Sequence, residues 1–65
     1  MYSVYAIVKL GSIAANRLAA KAWEPTREEG EWRVRLGGWE TWQEADEDAK
    51  KWREYLQDAD VFVVD

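Results

Sequence analysis

Hydrophobic and polar positions alternate from the first residues onward. Tyr2, Val4, Ala6, Val8 and Leu10 fall on one face and Ser3, Tyr5, Ile7 and Lys9 on the other, a period of two that predicts a strand over 1–10. Gly11 ends it, and Ser12 is placed to cap a helix. Ile13, Ala14, Ala15, Leu18, Ala19, Ala22 and Trp23 recur at three- and four-residue spacing and predict a helix over 13–23, with a strand at 18–24 as the rival reading. Pro25 stops either element, and the segment from Glu24 to Gly30 reads as a polar turn. Trp32, Val34 and Leu36 then alternate with Glu31, Arg33 and Arg35, a half-buried strand broken by Gly37-Gly38.

Thr41-Trp42-Gln43-Glu44 has the form of a capping box, a hydroxyl followed three residues later by Glu. Behind it Trp42, Ala45, Ala49, Trp52 and Leu56 mark one face of a helix over 41–57. Acids lie early in that helix and Lys50, Lys51 and Arg53 late, which complements its dipole. Val61 to Val64 is apolar on both faces, the pattern of a central or doubly covered strand. The fold class is therefore α+β: one domain over 1–65, with a single-layer sheet of three or four strands packed against two helices. The expected order is β-α-β-α-β, or β-β-β-α-β if the Ala-rich stretch is extended.

Composition narrows the chemistry. A chain of 65 residues buries only about 60% of the surface its unfolded form exposes. There is no cysteine and no histidine, which removes disulfides, thiolate or imidazole metal sites, and the usual neutral-pH base. Aromatic mass is the remaining source of core. A fully buried Trp takes about 200 Å² from water, roughly 5 kcal/mol gross. The first expectation for Trp23, Trp32, Trp39, Trp42 and Trp52 is packing, and an exposed one would mark a contact surface. The carboxylate clusters Glu28-Glu29-Glu31 and Asp46-Glu47-Asp48 sit in a turn and on a solvated helix face. Asp46-x-Asp48 lacks the glycine and closing Glu of a calcium loop. The reading is of a non-enzymatic protein with no cofactor and no metal.

Charge is distributed unevenly. The net charge is −4, yet residues 1–23 carry Lys9, Arg17 and Lys21 and no acid. All thirteen acids lie in 24–65. This balance disfavours nucleic acid or an anionic membrane as a direct partner and suits a basic protein surface. The candidate partner-binding residues are Glu40, Glu44, Glu47, Asp48, Glu54 and Asp58, expected to form one exposed acidic face. Acids also keep a Trp-rich small protein soluble. Arg33 and Arg35 are expected to pair with neighbouring carboxylates across strands. No basic n-region precedes a long apolar run, and no stretch approaches the length of a membrane span. A monomer in the cytoplasm is the expectation.

Two segments resemble a known family. Val8-Lys9-Leu10-Gly11-Ser12-Ile13 is similar to the opening of SPOR domains, and Trp32-Arg33-Val34-Arg35-Leu36-Gly37-Gly38-Trp39 to their later Arg-rich strand. That resemblance implies a peptidoglycan-binding module. SPOR domains also place a strand between the first helix and this segment, where the present chain is shorter. In format alone, a small acidic cysteine-free chain is similar to phage-encoded anti-CRISPR proteins. That likeness implies an inhibitor that mimics DNA and blocks nucleic-acid binding by a CRISPR effector. A strand leading into an acidic amphipathic helix also looks like HicB antitoxins, which implies neutralisation of a basic toxin.

Overall fold

The computed structural model describes residues 1–21 and 30–65, and the backbone of 26–28. Along the chain run β1 (Tyr2–Lys9), α1 (Ile13–Ala20), β2 (Thr26–Glu28), β3 (Glu31–Trp39), α2 (Trp42–Leu56) and β4 (Asp60–Val64). The strands form one sheet in the order β2-β3-β1-β4, with every pairing antiparallel. This is the split β-α-β arrangement, a β-α-β-β-α-β chain with both helices on one side of the sheet. The α+β class and the β-α-β-α-β succession stand, completed by a short fourth strand.

One face of the sheet is apolar for the reason the alternation gives. Val4, Ala6 and Val8 of β1, Val34 and Leu36 of β3 and Val61 of β4 are buried together. They meet Ala14, Ala15 and Leu18 of α1 and Ala45, Ala49 and Leu56 of α2. Small alanines let both helices approach the sheet closely, so three leucines and four valines fill the space between layers. Tyr2, Trp32, Trp52, Ala59 and Val63 are half-buried at its margin.

α1 is short, and its N-terminus is fully provided for. The four amide N–H groups that lack helical partners at this end all find acceptors. Ser12 N–H donates to Lys9 O at 3.2 Å, and Ala15 N–H to Ser12 Oγ at 3.1 Å. Ile13 N–H and Ala14 N–H donate to the two carboxylate oxygens of Asp58, at 3.0 and 2.9 Å. At α2 the Thr41 hydroxyl accepts from Glu44 N–H at 3.2 Å, the N-cap read in the sequence, and donates to Glu44 Oε1 at 2.8 Å.

α2 ends at Gln57, whose φ of 63° and ψ of −53° are strained for a residue with a side chain. Asp58 N–H closes a three-residue γ-turn onto Leu56 O at 2.7 Å. This reversal directs Asp58 to the start of α1.

Several sequence expectations are corrected. The stretch from Glu24 to Gly30 is not wholly a turn, because Thr26–Glu28 pair with Glu31–Arg33, and Gly30 supplies the positive φ of 81° that the hairpin needs. Gly37-Gly38 does not end β3. The register slips between Val4 and Tyr5, leaving Leu36 as an additional residue, and pairing continues to Trp39 opposite Tyr2. The run from Val61 to Val64 is an edge strand bonded to β1 alone, not a central one. Residues 18–20 are helical, which settles the rival strand reading at 18–24 over those residues, whereas Ala22, Trp23 and Pro25 lie outside the described residues. Leu10 and Ile13, expected on buried faces, are 42% and 50% exposed because both sit at the loop where β1 hands over to α1. Ala19 of the expected buried stripe is exposed as well.

Candidate functional site

The six acids read as one face do not form one. Asp58 is committed to the N-terminus of α1 by its two backbone hydrogen bonds. Glu44 belongs to the cap of α2 through Thr41. Asp48 is half-buried and accepts from Trp39 Nε1–H at 3.1 Å. Glu40, Glu47 and Glu54 are exposed, with Glu47 and Glu54 about two helical turns apart on the outer side of α2. Asp46 pairs with Lys50 at 3.3 Å, an exposed i,i+4 bridge worth about 0.3–0.5 kcal/mol. Lys51 lies among the acids, so the outer face of α2 has mixed charge.

What the structure gathers instead is at one end of the molecule. There β1 begins, β3 and β4 finish and α2 starts. Trp42 is 55% exposed, Trp39 37%, Val64 41% and Met1 78%. The ladder register sets Trp39 opposite Tyr2, and Val64 opposite Ser3. Trp42 shares a flank of α2 with Arg53, about three turns on. Arg53 donates to Val61 O of β4 through Nε and a terminal nitrogen, at 3.2 and 3.0 Å, which places that flank on the β4 side. Trp39 and its Asp48 acceptor mark the opposite flank. The two exposed indoles therefore bracket the first turn of α2, with Glu40, Glu44 and Glu47 around them.

Trp42 is thus no core residue, although it heads the three-and-four series of α2. It occupies the first helical turn, where the helix has reached the end of the sheet. Trp52, in the same series, is half-buried against the core and meets Tyr55 edge-on, with ring centroids 6.0 Å apart.

On the Trp39 flank lies a shallow cleft of about 210 Å³, lined among the described residues by Trp39, Glu44, Glu47, Asp48 and Lys51. An indole wall beside three carboxylates is a setting for a cationic side chain, which gains from both the ring face and the charge. A neighbouring cleft of about 230 Å³ is lined among the described residues by Lys21, Asp48, Lys51, Trp52 and Tyr55. Its Tyr55 ring is already occupied, with Arg17 at 5.4 Å and Lys21 at 5.1 Å from the centroid. The Arg17 guanidinium also donates to Tyr55 O, joining α1 to α2.

No helix among the described residues covers the second face of the sheet. Tyr5 and Phe62 stack there at 6.2 Å with planes 20° apart, beside Ser3, Ile7, Arg33 and Arg35. Arg35 Nε–H donates to Ser3 Oγ at 3.3 Å, and the guanidinium lies where a Cβ on Gly38 would fall.

No group of three or more acidic residues is arranged to hold a metal ion among the described residues. No helix among them is long and apolar enough to cross a membrane. No protein-family model, curated protein or solved structure matches the chain.

The sequence held part of this site. Glu40, Glu44 and Glu47 are among the candidate residues. Trp39 and Trp42 are not, because packing is the first expectation for every Trp here and, for Trp42, the helical period agrees with it. The missed signal is position: both lie within two residues of a junction between elements, where an aromatic runs out of neighbours to bury it.

Proposed function

We propose that this is a non-enzymatic binding protein that engages a basic protein surface through the Trp39–Trp42 end. The observation that carries the reading is the pair of exposed indoles bracketing the acidic first turn of α2. An exposed aromatic patch rimmed by charge is the usual anatomy of a contact surface. Trp supplies much of the affinity at such surfaces, while carboxylates around it select a cationic partner and speed its approach. Trp39 and the adjoining cleft would take a Lys or Arg side chain of the partner. The narrower form of this reading, a nucleic-acid mimic of the anti-CRISPR kind, rests on Glu40, Glu47 and Glu54, since Glu44, Asp48 and Asp58 are engaged within the fold.

The test is calorimetric titration with a short Lys/Arg-rich peptide, against an acidic peptide of the same length. Binding of the basic peptide alone is expected, weakening as salt rises from about 0.1 to 1 M and the Debye length falls from about 10 to 3 Å. The Glu40→Lys, Glu44→Gln, Glu47→Lys variant should stay folded and lose it. Equal binding of both peptides, or undiminished binding by the variant, would overturn the reading.

A further inference from the structure

We infer that the uncovered face of the sheet is the interface of a homodimer, in which a second copy packs face to face across a two-fold axis running along β1. The surface adjoins the Trp39–Trp42 end, with Val64 at their common border, and strand register fixes which side chains it carries. Three rows of side chains cross this face from β3 through β1 to β4. They read Arg33, Ile7, Asp60; then Arg35, Tyr5, Phe62; then Gly38, Ser3, Val64. The alternation of buried Val34, Ala6 and Val61 with these residues fixes them on the side away from the helices.

A two-fold axis along β1 exchanges the positions of β3 and β4 while keeping each row in place. Arg33 of one copy then lies over Asp60 of the other, and the reverse pair forms by symmetry. Arg35 starts from the row of Phe62, and its stem crosses that ring on the way to Ser3 and Gly38. Ile7 and Tyr5 lie over themselves, and Val64 lies over the Arg35 guanidinium that fills the space above Gly38. The face is thus complementary to itself in charge and in bulk, as an isologous interface requires. An axis in the same plane but perpendicular to the strands would stack β3 on β3 and set guanidinium against guanidinium. Charge therefore selects one of the two arrangements.

Sheet geometry permits the chosen one. Sheets packed face to face cross at about 30° because of their twist. At that angle the strands flanking β1 shift by only about 2.4 Å along the strand direction, less than one residue rise of about 3.3 Å, so the rows stay matched. Each arginine already has a partner in its own chain, and Arg35 bonds Ser3. A guanidinium carries five N–H donors, so contact with a second copy can be added to these bonds. The apolar centre of Tyr5, Ile7, Phe62 and Val64 provides the burial that a chain of this length gains by associating.

Sedimentation equilibrium across micromolar to millimolar protein reads the outcome. The weight-average mass is expected to climb from 7.6 kDa toward twice that value. Arg33→Asp and Asp60→Arg should each weaken the dimer about tenfold or more, the coupling that close interfacial charge pairs carry. Combining them should restore it, because the swapped charges again face each other. Phe62→Lys, which puts a charge into the apolar centre of the interface, should weaken it too. Circular dichroism confirms that each variant is folded, and a variant that does not fold is replaced by Asp60→Asn, for which the same direction is expected. A mass of 7.6 kDa throughout, or a dimer indifferent to Arg33, Asp60 and Phe62, would overturn the inference. So would a monomer whose Tyr5, Ile7 and Phe62 resonances move on adding denuded glycan strands, which would assign the face to saccharide instead.

Discussion

Replacing Asp58 with Ala removes both acceptors for the first two amides of α1, Ile13 N–H and Ala14 N–H. α1 has only eight residues and anchors itself through Ala14, Ala15 and Leu18, so it has little stability of its own. Losing a helix cap costs about 0.5–2 kcal/mol, and losing a negative charge at the positive end of the dipole about 0.3–1 more. A loss of about 2 kcal/mol is expected. That is a large share of the roughly 3–10 kcal/mol available at about 0.05–0.15 kcal/mol per residue. For a domain of this size it lowers Tm by about 8–16 °C. Urea unfolding followed by far-ultraviolet circular dichroism measures it, with an unchanged slope confirming that the same surface unfolds. Asp58→Asn keeps one acceptor without the charge and should lose about 1 kcal/mol. A loss below about 0.5 kcal/mol for the Ala variant would refute the reasoning and return Asp58 to the pool of partner-binding acids.

Gln57→Gly should stabilise the protein by about 1 kcal/mol in the same melts, because glycine accepts the positive φ at that position without strain. Trp52→Ala should cost about 2–4 kcal/mol, the lower part of the range for a large core side chain, since Trp52 is half-buried. Trp42→Ala, which removes a mostly exposed ring, should change stability by no more than about 0.5 kcal/mol. Leu56→Ala should cost about 2–5 kcal/mol, as Leu56 is fully buried between α2 and the sheet.

β1, β3 and α2 are legible in the sequence because each buries one face, and burial writes a period into the residues. β2 carries no such record. Thr26, Arg27 and Glu28 pair because the hairpin at Gly30 folds them back onto β3, a consequence of tertiary position. β4 misleads for a related reason: Phe62 and Val64 are apolar although their face is uncovered, so the run resembles a central strand while it lies at an edge. Trp42 follows the helical period yet sits past the end of the sheet, a boundary that periodicity does not register. The cap from Asp58 to α1 joins residues more than forty positions apart, and no local pattern announces it. Of the functional reading, the carboxylates were legible from charge, and their division between helix capping and exposed surface was not.

The central claim is that the indoles at the start of α2, and not those in the core, meet a basic partner. Resolving the indole N–H signals by nitrogen–proton correlation spectroscopy while adding a Lys/Arg-rich peptide tests it at single residues. Trp39 and Trp42 are expected to shift together and saturate together, while Trp32 and Trp52, packed against the core, stay in place. Shifts confined to Trp32 and Trp52, or no movement of any indole at saturating peptide, would contradict the account.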